Sequence, residues 1–313
     1  MSAYVVSGVQ IWSGVVLQAG TITFNSNSIL LLAPSPEKGG GPPDTLTIIA
    51  NEIDIQDNAT IIYTFDGAPG PAYDPGTPKP PQVGTAAGGG NGFSSPGTGS
   101  FPQAANGTNG GPGMTGAKGT SGVDAPEIQI FVGLVKQLSA GKLTINVKGQ
   151  DGGRGGDAGS GGNGGKGQDG SPSTTSSSWY DNSKCTQGAG KGGNGGAGGD
   201  AGFPGRGGAG GNGGIVNVFT LAASLPLVQT WSYLVGPGKG GKPGNPGSPG
   251  SGGPGGAAGA VNDPCPPVPG FGGSNGPSGQ SMNTVDPSWP TDYAGNDGQP
   301  GYSAQYQIKK VPS

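Results

Sequence analysis

The chain has 313 residues, of which 73 are glycine and 31 proline; 30% are apolar, and 15 basic side chains oppose 18 acidic ones. So little apolar material excludes one large oil-like core, and so sparse and balanced a charge excludes a basic surface for nucleic acid or a polybasic membrane anchor. Histidine is absent, which removes histidine-based triads and histidine metal sites, and no apolar run approaches the ~18 residues of a membrane span.

The N-terminal stretch MSAYVVSGVQIWSG has no basic n-region, continuous apolar segment or cleavage site, so no secretory leader is expected from it. Residues 3–33 then read as short strands broken by turns (YVVSGVQIW, VVLQ, TITFN, SILLLA), because β-branched and aromatic residues dominate. A Pro/Gly loop over 34–43 leads to two or three more strands in 45–65, with a turn at Gln56–Ala59. Trp12 is most simply a core residue of this unit. At Asp66–Gly67 the composition changes to Gly/Pro-rich and stays so to Pro126.

Residues 127–148 are again strand, turn, strand, and a second glycine-rich excursion follows over 149–214. Residues 215–235 form the third β unit, read as strands with Trp231 in the core; Pro226 and its β-branched neighbours argue there against a helical turn. A third excursion runs over 236–301, and YSAQYQIKKV (302–311) is a last strand with clean alternation. The excursions begin at Asp66, Gly149 and Gly236, spacings of 83 and 87; the β units after them begin at Glu127, Ile215 and Tyr302, spacings of 88 and 87. This internal repeat predicts β layers that stack because none buries its own apolar face.

Within the excursions glycine falls on every third residue. From Gly190 to Gly214 the frame has no exception; from Gly149 to Gly170 it has one, Ala158; it recurs over Gly107–Gly122 and Gly238–Gly259, with weaker traces at Gly270–Gly279 and Gly295–Gly301. A period of three fits neither an α-helix nor a strand but does fit a polyproline-II-type helix, whose glycine edge lets backbones touch. Most triplets carry a second glycine, which predicts helices with more than one close neighbour. The second excursion has a leg of 22 residues (149–170), the polar insert SPSTTSSSWYDNSKCTQ (171–187) and a returning leg of 25 (190–214), the pattern of a hairpin about 70 Å long.

The expected fold is therefore mainly β plus polyglycine-II: a layered β base, solenoid- or sandwich-like, carrying about six left-handed glycine-rich helices in three hairpins. Its parts are β base layers (1–65), hairpin 1 (66–126), a β layer (127–148), hairpin 2 (149–214), a β layer (215–235), hairpin 3 (236–301) and a C-terminal strand (302–313). Cys185 and Cys265, 80 residues apart, fall in the distal inserts of hairpins 2 and 3. A disulfide between them is expected, and with it an oxidising, extracellular or virion- or cell-surface location.

Chemistry-bearing patterns are few. GGxGxD occurs at Gly152–Asp157, Gly164–Asp169 and Gly195–Asp200 and resembles the calcium-binding nonapeptide of RTX toxins, but its large apolar position is occupied by Gly159, Ser171 and Gly202. These aspartates are expected to cap backbone N–H groups on a solvent face instead, with no metal site and no cofactor. Glu52, Asp54 and Asp57 alternate along a strand as the carboxylates of a β-helical polysaccharide enzyme would, yet read as a solvated strand face, so no enzyme is expected. Asn58 and Asn106 head glycosylation sequons that matter only in a secretory host. Trp179 and Tyr180 in the insert of hairpin 2, with Phe93 and Phe101 near the first tip, are the candidate recognition residues. The strand holding Tyr302, Tyr306 and Ile308 is the candidate self-assembly element.

The triplet runs GGNGGAGG and GRGGAGGNGG resemble those of polyglycine-II proteins, the glycine-rich adhesins of phage tail-fibre tips and the snow-flea antifreeze protein. The resemblance covers the three excursions. It implies that loops joining glycine helices, here 171–187, 260–269 and about 85–105, carry recognition. The expected function is a non-catalytic, self-assembling subunit of an extracellular fibre or sheath whose main partner is itself. The alternatives are an adhesin that binds a receptor or surface glycans through its tips, and an ice-binding protein; no partner in nucleic acid or membrane interior is expected.

Overall fold

In the computed structural model, which describes residues 2–33, 45–63, 104–138, 141–178, 181–266, 272–281, 288 and 293–311, the regular structure is almost all β and both large sheets are parallel. The chain shuttles between them. Strands β1 (Ala3–Val6), β3 (Val16–Phe24), β5 (Thr45–Ile55), β7 (Glu127–Gln137), β11 (Ile215–Thr220) and β13 (Tyr302–Gln307) form the first sheet in that spatial order. Strands β2 (Val9–Trp12), β4 (Ile29–Leu32), β6 (Ala59–Tyr63), β8 (Leu143–Asn146) and β12 (Ser232–Leu234) form the second. Each layer up to β11/β12 thus contributes one strand to each sheet, β13 adds a sixth to the first, and chain order equals stacking order.

Alternation in the sequence sets which side faces in. In β11, Val216, Val218 and Thr220 are buried while Ile215, Asn217 and Phe219 lie on the outer face. The same parity runs through Leu46, Ile48 and Ala50 of β5 and Ile128, Ile130 and Val132 of β7, which meet Leu30, Leu32, Ile61 and Ile145 of the second sheet in one core. Short left-handed corners turn the chain from the first sheet to the second, at Gly8 (φ 63°) and Asn27 (φ 55°).

The 215–235 unit departs from its strand reading. Between β11 and β12 lies a short helix, α1 (Leu225–Val228), with Pro226 in its first turn. Proline is tolerated there because that N–H has no intrahelical partner in any case, so Pro226 starts the helix where we expected it to forbid one. Val228 and Trp231 cover the core beside it, and Ser224 Oγ accepts the buried Val135 N–H at 2.8 Å. The last strand is also shorter than its alternation suggests, ending at Gln307 rather than 311.

All three excursions leave from the second sheet and return to the first, so they emerge at one corner of successive layers. Five legs are described: 104–126, 149–173, 188–214, 236–262, and a fifth in two pieces, 272–281 and 293–301. The outward part of hairpin 1 lies outside the described residues. Apart from an isolated bridge at Lys191, the legs are neither helix nor strand and are laced by backbone hydrogen bonds at every third residue. Gly107, Gly110 and Gly113 N–H donate to the carbonyls of Asn194, Ala197 and Asp200; Gly152, Gly155 and Ala158 donate to Lys239, Lys242 and Asn245. The offset of 87 in these bonds continues the ladder of the base, where Val147 N–H donates to Leu234 O and Gly149 N–H to Gly236 O. The spacing that repeats the strands therefore repeats the legs.

The legs form two rows. Legs 1, 3 and 5 return toward the first sheet, and legs 2 and 4 leave the second. Leg 3 is bonded to legs 1, 2, 4 and 5, whereas leg 1 is bonded to legs 2 and 3 among the described residues. Glycine density follows that count. Leg 1 has mostly one glycine per triplet and leg 3 mostly two, because consecutive glycines face different neighbours: a β-carbon on Gly198 would lie 2.5 Å from the Gly250 carbonyl carbon, and one on Gly199 2.5 Å from that of Gly111. Doubled glycine is a record of contact on two sides.

Candidate functional surfaces

At the far end of the legs the insert of hairpin 2 is itself ordered. Strands β9 (Thr174–Ser178) and β10 (Asp181–Gln187) pair antiparallel, with Ser176 opposite Lys184 and Thr175 opposite Cys185. The polar composition SPSTTSSS hid this hairpin from the sequence reading. Cys185 is bonded to Cys265 (Cα–Cα 4.7 Å), so the expected disulfide joins the inserts of hairpins 2 and 3. Asn262 strengthens the joint: its N–H donates to Ser173 Oγ at 2.6 Å and its side-chain amide donates to Ser173 O at 2.8 Å. Trp179 and Tyr180, between β9 and β10 in sequence, lie outside the described residues, as do Phe93 and Phe101.

The broad faces of the bundle carry a ladder of Asn and Asp side chains that reach sideways. Asn106, Asn109 and Asp124 of leg 1 accept the N–H groups of Asn194, Ala197 and Asn212 on leg 3; Asp151, Asp157, Asn163 and Asp169 of leg 2 accept those of Lys239, Asn245, Ser251 and Ala257 on leg 4. Each bond spans 88 residues, one repeat. The aspartate of every GGxGxD motif is used this way, Asp200 accepting from Gln280 N–H. The outward N–H groups of these triplets thus gain a partner.

Two of these carboxyls are held below the usual carboxylate range: Asp157 by the Asn245 N–H and then by Arg154, Asp169 by the Ala257 N–H and then by Lys166. With the folded value depressed, the unfolded chain binds more protons through and below the ordinary carboxylate range. The stabilisation is present above that range and is lost as pH falls through the folded values. Thermal unfolding midpoints measured from pH 5 down to about pH 2 will fall more steeply in the native chain than in Asp157→Asn/Asp169→Asn, which keeps an acceptor but has no proton to take up.

The carboxylate row on the base does not form a joint site. Glu52 is paired with Lys136 Nζ at 2.9 Å on the outer face of the first sheet, Asp54 lies alongside, and Asp57 sits in the following turn. Lys136 is held above its ordinary value by the hydrogen bond and charge of Glu52, and then by Asp54.

The same face carries a feature missed from the sequence. Phe131, Phe219 and Tyr306 stack across β7, β11 and β13, with ring centroids 4.6 and 5.0 Å apart and interplanar angles of 9° and 18°. Their spacings are those of the β units, so laying the repeats over one another would have revealed the ladder. Beside it Glu127 accepts from the side-chain amides of Gln129 and Asn217, at 2.9 and 2.8 Å.

Both ends of the core are closed by aromatics of the chain itself. Tyr4 and Trp12 meet edge to face at the β1/β2 end (centroids 5.9 Å). At the other end Trp231 is buried and Tyr233 O–H donates to Val228 O, burial pushing the Tyr233 phenol up. The strand edges there are unpaired among the described residues. Val5, Val9, Ile11 and Val16 are exposed near one edge and Tyr302 and Tyr306 at the other, while Ile308 N–H donates to Thr220 O. No helix among the described residues is long and apolar enough to cross a membrane, and the disulfide suits a non-reducing environment.

Compared with known proteins, the chain matches no protein-family model and no curated protein. Among solved structures it is weakly similar to a springtail antifreeze protein from Granisotoma rainieri, described as a nine polyproline type II helical bundle whose crystal waters match the ice lattice. The identity is 23%, over 62% of this chain and 93% of that one, with a TM-score of 0.11, which carries no argument about this chain.

Proposed function

We propose that the legs are polyglycine-II helices standing on a two-sheet β-solenoid, and that the chain is a non-catalytic structural protein of a cell or virion exterior. It holds a braced recognition tip, residues 171–187 with 260–269, at a distance from its base. The strict three-residue period of both glycine and inter-leg hydrogen bonds supports the helix type, and strand-by-strand alternation between two parallel sheets supports the solenoid. The observation that carries the function is the Cys185–Cys265 bond locking the paired strands β9 and β10 of that insert. Lacing every third residue already holds the legs together. A covalent staple on the strands beyond them serves to hold that insert rigidly, which lowers the entropy cost of binding.

Aromatic residues set among Ser, Thr and Asn, as Trp179 and Tyr180 are in this insert, suit a saccharide surface. Binding of the oxidised protein to immobilised surface glycans and to whole cells will fall sharply in Trp179→Ala/Tyr180→Ala while the unfolding midpoint stays unchanged. Binding untouched by both substitutions removes the tip from the function. An ice-binding role would instead use the broad faces, where Lys118, Arg206, Phe203 and Asp124 interrupt any flat array of small residues.

A second reading, the fibre or sheath subunit, is favoured by the edges of β1, β2, β12 and β13, unpaired among the described residues. Through them base could add to base.

A further inference from the structure

We infer that a second copy of this chain docks antiparallel along the edge of β13, unpaired among the described residues, around a two-fold axis at Ala304. The inference is independent of what the tip binds, and it differs from a head-to-tail fibre because such a contact closes on itself.

Backbone parity restricts the register. Ile308 N–H points at β11, donating to Thr220 O, so alternate residues of β13 turn their backbone groups inward and Ser303, Gln305 and Gln307 turn theirs to the open edge. An antiparallel partner must therefore pair odd-numbered residues with odd-numbered ones in hydrogen-bonded pairs. The axis at Ala304 does so: Ser303 exchanges both hydrogen bonds with Gln305 of the second copy, and Gln305 with its Ser303. Ala304 faces its own copy, and Tyr302 faces Tyr306 in the closer, non-hydrogen-bonded positions.

Side chains make this the favoured register. On the outer face, Tyr302 and Tyr306 are 56% and 45% exposed, and among the described residues the Phe131–Phe219–Tyr306 stack stops at Tyr306. Tyr302 of the second copy continues that stack, and the symmetry makes the same contact twice. On the inner face β13 differs from the strands before it, placing Ser303 and Gln305 where β11 has Val216 and Val218. No second-sheet strand follows β13 among the described residues, and β13 borders α1 and Tyr233 there instead; polar side chains there pair across the axis without leaving an apolar core uncovered. Tyr233 and Gln305 are already hydrogen-bonded to each other, which fixes the edge in place.

The test uses the full oxidised chain. Sedimentation velocity over a concentration series will show a monomer–dimer equilibrium. Ser303→Pro removes an N–H aimed at the edge and leaves the β11 ladder intact, so dimer will be lost with no change in the unfolding midpoint. Ala304→Cys will form an intermolecular disulfide on a non-reducing gel, because paired residues at that position lie about 4.5 Å apart. Gln305→Cys will not, since two such residues lie diagonally, roughly 7–8 Å apart. A chain that is monomeric throughout, a polymer that lengthens with concentration, or cross-linking through Gln305→Cys in place of Ala304→Cys overturns the inference.

Discussion

Gly199→Ala lowers the stability of the folded chain by about 3 kcal/mol or more, the upper part of the range for overpacking a rigid interior. The added methyl group falls well inside the contact distance of the Gly111 carbonyl oxygen, 2.5 Å from that carbonyl carbon and 3.1 Å from Gly110 O. Relief would require leg 3 to move away from leg 1, and Gly199 is pinned from the other sides. Its N–H donates to Gly162 O at 2.8 Å, and its carbonyl accepts from Gly250 N–H at 2.9 Å. These obstacles are backbone atoms of a neighbouring leg, not flexible side chains that can rotate aside. By contrast, Ala197→Ser, at the outward position of its triplet, changes stability by no more than about 0.5 kcal/mol. Thermal or denaturant unfolding of the two variants beside the native chain decides the matter. Equal midpoints for Gly199→Ala and Ala197→Ser would mean that the legs are not packed backbone to backbone.

Loss of the staple is the second large effect. Cys185 and Cys265 close a loop of 80 residues, for which chain entropy alone gives about 4 kcal/mol of stabilisation. Reduction, or Cys185→Ser/Cys265→Ser, will lower the unfolding midpoint, and the loss will be uneven along the chain. Ser173 and Asn262 still join the two inserts, but the β9–β10 hairpin has only a two-stranded ladder of its own, a structure marginal in water. Hydrogen exchange will therefore rise first over 174–187 and last over β5, β7 and β11, whose N–H groups lie in a six-stranded sheet above a shared core. Unchanged exchange at 174–187 in the double variant would show that the disulfide does not hold the hairpin. A reducing agent will have no effect on that variant.

Much of this molecule can be read from periodicity. Two-residue alternation in IVNVFT gave a strand and its inward face; the three-residue glycine frame gave the legs; and equal spacing of Glu127, Ile215 and Tyr302 gave strands that turn out to lie in register, side by side. The disulfide followed from placing two inserts at matched heights. What escaped had no periodic signature. The β9–β10 hairpin is written in Ser, Thr, Asn and Lys, residues common in loops, and it forms where two adjoining legs and a covalent bond hold its ends. The α1 helix covers the core inside a segment of strand-like composition, because at that layer the turn needs Val228 and Trp231 over the end of the sheets more than another extended strand.

By itself the sequence determined the local conformations and the repeat. A glycine on every third residue admits backbone contact along one edge of a three-residue helix, and β-branched alternation admits a buried sheet face, whatever else the chain does. Which edge meets which neighbour was decided only by the tertiary structure. Every excursion enters from the second sheet and leaves into the first, so strands and legs share one lateral step, and side chains 88 residues apart become hydrogen-bond partners. That step turns Asn106, Asp157 and Asp169 into caps for a neighbour's N–H groups and turns Phe131, Phe219 and Tyr306 into a single stack. The reason is physical: contacts between legs and between layers depend on distances fixed by strand stacking, and no window of local sequence contains them.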